Sequence, residues 1–405
     1  MLVKIAWRNI WRNKRRSVIT MGSVAFALFF ALIMRSMQLG TYNQAYSSVI
    51  NATTGYLQWQ GEGYWDKQSL ERSFYPEDSV LKRITAHKTV LDLVPRLESF
   101  ALLAGAKSET RPGLVRGIDA EKESLYFELG DKLVSGRLPD PDEYGISLAQ
   151  KLAENLKVGL GDTLVIIGQG YRGMSANGKY PIIGIANLPN PEANKSTVFI
   201  GINQMQELTG AYGQLTGMVI IPENTNKLEP LKAELNTYTD NSSEILTWRD
   251  MMPELIQAME ADSAGGLAIL FILYLVIGFG IFGTILMLTA ERKPEFGILI
   301  SIGMKRTKLA LTTFLETSFL SLVGIIIGSL LSLPISWYYH LNPIKLGAEM
   351  EQMTEEYGME PIIPFSVDPS IWLTHGSIVL FISMLLGLYA VFSILKLSPV
   401  KAMRR

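Results

Sequence analysis

The chain has 405 residues, 48% of them hydrophobic, and its 37 basic and 38 acidic side chains nearly cancel. Positive mean hydropathy at this length indicates an integral membrane protein that also carries a sizeable polar domain. The absence of cysteine excludes disulfides, thiolate metal sites and cysteine lipidation.

Residues 1–16 hold six basic residues and no acid. Lys4, Arg8 and Arg12 recur every four residues, and apolar side chains that include Trp7 and Trp11 line another face. This pattern predicts an amphipathic helix at the cytoplasmic membrane interface. A nucleic-acid-binding arm is the rival interpretation, but the adjacent membrane span argues against it, so no nucleic-acid partner is expected.

Residues 17–37 form the first predicted span, with Arg35 near the far interface. Residues 38–262 then read as an extracytoplasmic α+β domain. Two βαβ patterns are expected to flank an insertion at about 114–203 that folds separately. The first pattern has predicted strands at 55–59 and 96–106 with a helix at 76–87 between them. The second has predicted strands at 216–221 and 244–247 with a helix at 226–235 between them.

The insertion is predicted to contain a helix at 147–156 and paired strands at 162–167 and 180–185. A glycine-rich hairpin tip between these strands presents Tyr171, Arg172 and Met174. The tip is either a docking finger for a soluble partner or a mobile surface hairpin.

Three further spans are predicted at residues 263–290, 309–339 and 371–395. The loop at 291–308 holds five basic residues against two acids, and the tail at 396–405 holds four basic residues, so both are expected to be cytoplasmic. The loop at 340–370 is expected outside. Its six carboxylates lack EF-hand spacing and indicate a solvated acidic loop rather than a calcium site.

Inside the 291–308 loop, Pro294, Glu295 and Gly303 stand where the start and end of a short helix favour them. Phe296, Leu299 and Ile300 fall at i, i+3 and i+4 and form an apolar stripe. The stripe either enters a groove on a partner or lies against the membrane or the protein's own helices.

Small and polar residues mark the predicted packing positions within the membrane. Gly324 and Gly328 form a GxxxG pattern, and Gly278, Gly280 and Gly283 offer a second surface for close approach. Glu316 is costly at membrane depth and is expected to face another helix. A structural or coupling hydrogen bond is the favoured role for it, ahead of proton or ion transfer.

The sequence lacks the GxxxxGK[ST] nucleotide loop, HExxH and GxSxG, and its three histidines are scattered. The chain is therefore expected to be non-catalytic, to bind no cofactor or metal, and to draw its energy from a partner.

Several motifs carry a resemblance to a known family. The loop reads Arg292, Glu295, Phe296, Gly297, Ile298, Leu299, Ile302 and Gly303, which is similar to R-x-x-E-(I/F)-G-I-L-x-x-(I/L)-G. The A-x-R-N element is present at Ala6, Arg8 and Asn9, and P-x-x-A-x-R at Pro399, Ala402 and Arg404. The segments at 156–163 and 247–255 also resemble elements of the same family. The chain resembles the four-helix permeases of ABC transporters in the MacB/FtsX superfamily, particularly the lipoprotein-releasing permeases of the LolC/LolE type.

The resemblance implies that the loop helix is a coupling helix seated in a cleft of a separate ATPase. Its residues would be Arg292, Glu295, Phe296, Gly297, Leu299, Ile300 and Gly303. Two ATPase subunits carrying ATP and Mg, and a second permease copy or paralogue, complete the implied assembly. The protein would lie in the bacterial inner membrane with both termini cytoplasmic and a two-subdomain periplasmic domain.

In lipoprotein permeases, ATP-driven closure passes a lipid-anchored protein from the outer leaflet to a periplasmic carrier, and a hairpin hook engages that carrier. The tip at Tyr171 to Met174 occupies the matching place and is shorter. Two alternatives use the same architecture: a MacB-like efflux or export permease, and an FtsX-like transmembrane regulator of a cell-wall hydrolase.

Overall fold

The computed structural model describes residues 2–12, 14–105, 109–240, 242–347 and 362–398. Its α-helices, numbered in chain order, are α1 Leu2–Arg12, α2 Lys14–Val49, α3 Tyr64–Lys67, α4 Asp78–Thr85, α5 Ala120–Phe127, α6 Gln150–Leu156, α7 Pro191–Ser196, α8 Ile202–Thr209, α9 Leu228–Leu235, α10 Trp248–Met251, α11 Pro253–Glu291, α12 Lys293–Ser301, α13 Arg306–Leu341 and α14 Pro369–Leu395.

Within the described residues, four helices are long and apolar enough to cross a membrane: Ser17–Val49, Pro253–Glu291, Arg306–Leu341 and Pro369–Leu395. This confirms the four predicted spans. The first helix differs in length, because it does not end after Arg35 but continues unbroken to Val49. A π-helical turn, Ile50–Thr54, follows it. Arg35 therefore lies within the helix, whereas the first span had been expected to end near this residue.

The chain divides into two compact units. The first comprises Met1–Asn43, Ala258–Lys345 and Ile362–Arg405 and contains the membrane helices, and the second comprises Gln44–Gln257 and Leu346–Pro361. In the first unit, apolar side chains of α2, α11 and α14 form one core, which includes Leu28, Leu32, Ile281 and Val379. Most of the predicted acidic loop, and the tail from residue 399, lie outside the described residues.

The second unit is built on strands that alternate with short helices. The strands of the chain are β1 Leu57–Gly61, β2 Val90–Ala104, β3 Thr110–Ile118, β4 Leu133–Gly136, β5 Ile146–Ala149, β6 Thr163–Gln169, β7 Ser175–Ala186, β8 Thr197–Gly201, β9 Gly217–Pro222, β10 Ser243–Thr247, β11 Ile344–Lys345 and β12 Ile362–Ile363. The last two form a separate two-stranded sheet, and the other ten share one sheet.

The order of the large sheet is β10-β1-β9-β2-β3-β8-β5-β7-β4, and β6 pairs with β2 and β7. The two predicted βαβ units, β1-α4-β2 and β9-α9-β10, are present and interleave at one end of it. Each strand pair within this end is antiparallel, so the two strands of each unit are parallel and separated by one strand of the other. This is the split βαβ arrangement.

The insertion does not form a separate sheet, which corrects the prediction for 114–203. Strand β2 has 15 residues, and while its first half pairs with β9, its second half pairs with β3 and β6. One long strand therefore joins both ends of the sheet. The helix predicted at 147–156 is shorter, because residues 146–149 are strand β5 and the helix begins at Gln150.

The strands of this sheet and the helices around it share the main apolar core, and buried charges lie on β2 and β3. Arg96 binds Glu123 of α5 through two hydrogen bonds of 2.6 and 3.0 Å, and Arg116 binds Glu98 at 2.5 Å. The side chains of Arg96 and Glu123 are 2% and 3% exposed. Such a pair is stable in the interior only when both partners are present.

Candidate functional site

The short helix α12 connects α11 to α13 and corresponds to the predicted coupling helix. Pro294 lies in its first turn beside Glu295, and Gly303 follows its end with a positive φ of 104°. A residue other than glycine is strained at that φ. Proline at the start and glycine after the end explain why nine residues form a defined helix between two long ones.

A chain of charged side chains ties α12 to α1 and α13. Arg12 of α1 donates to Glu295 at 2.8 Å, and Arg292 Nε donates to the same oxygen at 3.3 Å. Arg292 also donates through Nη1 to Glu316 Oε2 of α13 at 2.7 Å. Asn9 of α1 approaches that oxygen at 3.5 Å. Through two carboxylates, α1 therefore meets α12 and α13, which lie more than 280 residues later in the sequence.

The Glu316 side chain is 1% exposed and that of Arg292 is 11% exposed. In the structure, Glu316 faces Arg292 and Asn9 of α1. A buried carboxylate is tolerated when a cation and further donors compensate its lost hydration, and Arg292 supplies the cation here. Its role in coupling stays a prediction, because geometry alone does not measure transmission.

Glu295 is more exposed and is nevertheless held ionised. Burial raises the pKa of its carboxyl, but the hydrogen bonds and positive charges of Arg12 and Arg292 outweigh burial and bring the pKa below its ordinary value. The carboxylate is thus negative at neutral pH and bridges the two guanidinium groups.

Apolar contacts fix the inner face of α12. Phe296 is fully buried among Leu309, Ala310, Ile394 and Leu397, and the Arg292 guanidinium lies 5.3 Å from the centre of its ring. Gly297 is also buried. Of the two alternatives for the predicted stripe, Phe296 follows the second, since it packs against the protein's own helices. Ile300 is partly buried against the same cluster.

The opposite face of α12 is apolar and exposed. Ile298, Leu299 and Ile302 are 51%, 38% and 79% exposed. Leu299 was predicted as part of the stripe, whereas Ile298 and Ile302 were noted only in the family motif. The exposed apolar surface is therefore rotated from the predicted stripe, because Phe296 and Leu299 point to different faces.

The predicted packing glycines fall into two groups. A Cβ atom at Gly324 would lie 2.8 Å from Val24 Cβ, and one at Gly328 would lie 2.7 Å from the Ala25 carbonyl oxygen. These two glycines let α13 approach α2 closely. A Cβ at Gly278 would make ordinary contacts at 3.8 Å, and one at Gly283 would meet nothing within 4 Å. Among the residues that the structure describes, Gly278 and Gly283 therefore make no close contact, and their role stays a prediction.

The hairpin tip lies against its own domain. The Arg172 backbone N–H donates to Glu71 at 2.7 Å, and Tyr171 is partly buried with its hydroxyl 3.5 Å from Gln214. Met174 is 56% exposed, and its sulfur adjoins Gly210. The tip is therefore anchored at Tyr171 and Arg172, while Met174 stays exposed, and the choice between a docking finger and a mobile surface hairpin stays open.

Sequence reasoning missed the part that α1 plays in the site. Ala6 and Ile10 of α1 are buried, and Ile10 packs against Met21 and Leu320. Trp7 contacts Phe319 edge-on at 6.1 Å, so α1 binds α13 as well as presenting exposed tryptophan to its surroundings. The signal was present in the A-x-R-N motif, whose Asn9 approaches Glu316.

Comparison with known proteins gives two family matches. The family described as MacB-like periplasmic core domain matches residues 17–238, more than half of the chain. The family described as FtsX-like permease C-terminal matches residues 267–399. Together they confirm four membrane helices with a MacB-like domain between the first and the second.

Individual relatives are distant. The chain is 20% identical over 258 residues to the lipoprotein-releasing system transmembrane protein LolC of Xylella fastidiosa, with 61% of each chain covered. It is 22% identical over 239 residues to an uncharacterized ABC transporter permease of Methanocaldococcus jannaschii, with 57% of this chain and 58% of that one covered. It thus spans about three-fifths of these relatives.

Among solved structures, the periplasmic region of MacB from Actinobacillus actinomycetemcomitans aligns with 51% of this chain and 95% of its own length, at 14% identity and a TM-score of 0.35. The two family matches follow one another along the sequence and account for the domain and the last three membrane helices. This chain belongs to the MacB/FtsX family of ABC transporter permeases.

Proposed function

We propose that this permease is the membrane subunit of an ATP-driven transporter that releases lipoproteins from the outer leaflet of the bacterial inner membrane. The observation that carries the proposal is α12, whose inner face is fixed to the membrane helices while Ile298, Leu299 and Ile302 are exposed. A helix with one buried face and one exposed apolar face is suited to receive force from a partner protein.

In this mechanism, the exposed face of α12 enters a cleft on a separate ATPase subunit, which binds ATP and Mg. A displacement of α12 reaches α13 through the Arg292–Glu316 pair and reaches α1 through Arg12 and Glu295. From α13 it passes to α2 across the close contacts at Gly324 and Gly328. Tightly packed helices transmit such shifts because their interfaces do not deform continuously.

The assembly would contain two ATPase subunits and two permeases, the second being a copy or a paralogue. Basic residues of the first helix, the α12 loop and the tail support cytoplasmic termini and a periplasmic domain. The similarity to LolC supports a lipid-anchored protein as substrate, with a periplasmic carrier as acceptor.

The test begins with purification of the tagged chain from native membranes and a release assay on the recovered complex. Recovery of an ATPase and ATP-dependent release of an acylated protein is the expected result. Leu299→Asp should abolish release while membrane insertion remains, because a buried charge opposes docking of the face. A matched control is Leu125→Asp on α5, which makes the same change at a 68% exposed position of the domain.

Normal release by Leu299→Asp would refute the coupling assignment. Gly297→Asp is expected to behave like Leu299→Asp, with an added cost to folding because Gly297 is buried. Comparing the two variants separates loss of docking from loss of structure, since only Gly297→Asp should also lower the thermal unfolding midpoint.

A second candidate is supported by the anchored hairpin tip. A tip that binds Glu71 and adjoins Gln214 of its own domain is less available to a carrier. This favours the MacB-like efflux or export alternative, in which the recovered complex would contain an adaptor and release no acylated protein. Recovery of a cell-wall hydrolase would instead indicate the FtsX-like regulator.

A further inference from the structure

Arg35 of α2 lies at the end of the membrane helices opposite α12. At a rise of about 1.5 Å per residue, it is about 27 Å along the helix from Ser17, close to the thickness of the hydrocarbon layer. The next residue, Ser36, exchanges two hydrogen bonds with Ser366, at 2.6 and 2.8 Å, just before α14 begins. Arg35 is therefore at headgroup depth.

The guanidinium of Arg35 has a neutral partner. Its Nη1 donates to Gln38 Oε1 at 2.6 Å, and no carboxylate lies within ion-pair distance of it among the residues that the structure describes. The nearby carboxylate of Asp262 accepts hydrogen bonds from Tyr42 and from Gln38 Nε2. The half-buried cation thus retains donors and a positive charge that no carboxylate of the described residues neutralises.

Two side chains with polar ring atoms lie further along α11 and α14. Tyr274 of α11 and the buried His375 of α14 are hydrogen-bonded to each other through the hydroxyl and Nδ1. They follow Asp262 and Ser366, which mark the level of Arg35, by 12 and 9 residues. The guanidinium itself is suited to an anionic oxygen ligand, because it donates charge-assisted hydrogen bonds.

An apolar groove begins deeper along the same two helices, with Phe271 nine residues after Asp262. It lies between α11 and α14, has a volume of about 490 Å³ and is lined by Tyr274, Leu275, Phe279, Phe282, Ile382 and Leu386 among others. Both helices run from this end towards the α12 end, so the groove descends from the polar side chains into the apolar layer. A ligand that fits both parts has an anionic head and an extended apolar tail.

We propose that an anionic phospholipid of the outer leaflet binds here, with its phosphate at Arg35 and one acyl chain in the groove between α11 and α14. The phosphate accepts charge-assisted hydrogen bonds from the guanidinium, and the acyl chain covers aromatic and aliphatic side chains. The site is independent of the exposed face of α12 and does not require that the transported substrate be a lipoprotein.

The test is a titration of the full-length protein in detergent with phosphatidylglycerol or phosphatidylcholine, followed by native mass spectrometry. Phosphatidylglycerol is expected to bind more tightly. Arg35→Gln should weaken it about tenfold, because a hydrogen bond to a charged group is lost, whereas Arg35→Lys should retain most of the affinity. Equal binding of both lipids, or unchanged binding by Arg35→Gln, would overturn the proposal.

A second pair of variants tests the groove without touching the charge. Gly278→Leu places a side chain in the groove, where a Cβ meets only ordinary contacts at 3.8 Å, and should also reduce binding. Gly283→Leu is the matched control, since it lies outside the lining and has open space around it. Full binding of the lipid by Gly278→Leu would refute the groove as part of the site. So would a triacylated peptide that displaces the lipid and binds Arg35→Gln as tightly as it binds the native protein.

Discussion

Arginine side chains have different partners at the two ends of the helix bundle. At the α12 end, Arg12 and Arg292 have carboxylate partners, and Glu316 is buried against Arg292. At the opposite end, Arg35 donates to the neutral Gln38, and Asp262 is held by Tyr42 and Gln38. A completed ion-pair chain favours a rigid joint, whereas a cation without a carboxylate partner among the described residues is suited to bind an anion. The comparison yields four measurements, ordered by expected effect.

The largest effect is expected for Glu316→Ala. It leaves the nearly buried Arg292 with only the longer, 3.3 Å contact to the half-exposed Glu295, and should lower the free energy of unfolding by about 3–5 kcal/mol. Denaturant unfolding of the purified protein measures this. The reconstituted complex should also lose coupling, while ATP hydrolysis by the isolated partner is unaffected.

The double variant Arg292→Met with Glu316→Leu serves as the control, because replacing both charges with apolar side chains should recover most of the stability. A single variant as stable as the native protein would mean that the α12 end is no more rigid than the opposite end.

The contact between α2 and α13 should give the next largest effect. Gly328→Ala would place Cβ 2.7 Å from a backbone oxygen of α2 and should cost about 1–3 kcal/mol of unfolding free energy. Gly283→Ala has open space and should be neutral or stabilising, since alanine favours a helix by up to about 1 kcal/mol. Equal thermal stability of the two variants would contradict the close packing.

A smaller effect is expected for Tyr274→Phe at the opposite end. It removes the hydroxyl that binds His375 and should cost about 1 kcal/mol. The thermal unfolding midpoint in detergent measures it. If this variant were as destabilised as Glu316→Ala, the opposite end would be part of the structural frame, and its difference from the α12 end would disappear.

The smallest effect is expected for Arg12→Gln, because the Arg12–Glu295 pair is largely exposed and should contribute less than about 1 kcal/mol. Its pH dependence has a defined sign. The pKa of Glu295 is lowered from 4.5 by its partners, so the pair stabilises the protein above pH 4.5 and this contribution is lost as the pH falls below it. The difference between native and variant unfolding midpoints should therefore vanish in acid.

Local patterns in the sequence were sufficient for much of this architecture. Uncharged runs predicted the four spans, and alternating patterns predicted both βαβ units. The continuation of α2 past Arg35 was not predictable from hydropathy, because polar residues there are compatible with helix but not with an apolar span. Likewise, the insertion joins the main sheet only because β2 is long enough to pair with β9 along its first half and with β3 and β6 along its second, a tertiary outcome that composition does not show.

The candidate site was predicted in part. Proline, glycine and charge spacing located α12, and the cost of burying a carboxylate indicated that Glu316 had a partner. Which face of α12 is exposed depends on Phe296 packing against α13 and α14, which are contacts between segments distant in sequence. The anchored tip at Arg172 was missed for the same reason, since Glu71 lies 101 residues earlier.

The exposed face of α12 also has a consequence for biosynthesis. If the proposed function holds, a permease made without its ATPase would display Ile298, Leu299 and Ile302 as uncovered hydrophobic side chains of the kind that chaperones and proteases recognise. Surplus copies should consequently be short-lived. The cellular level of this chain should then follow the synthesis of its partner rather than its own rate of translation.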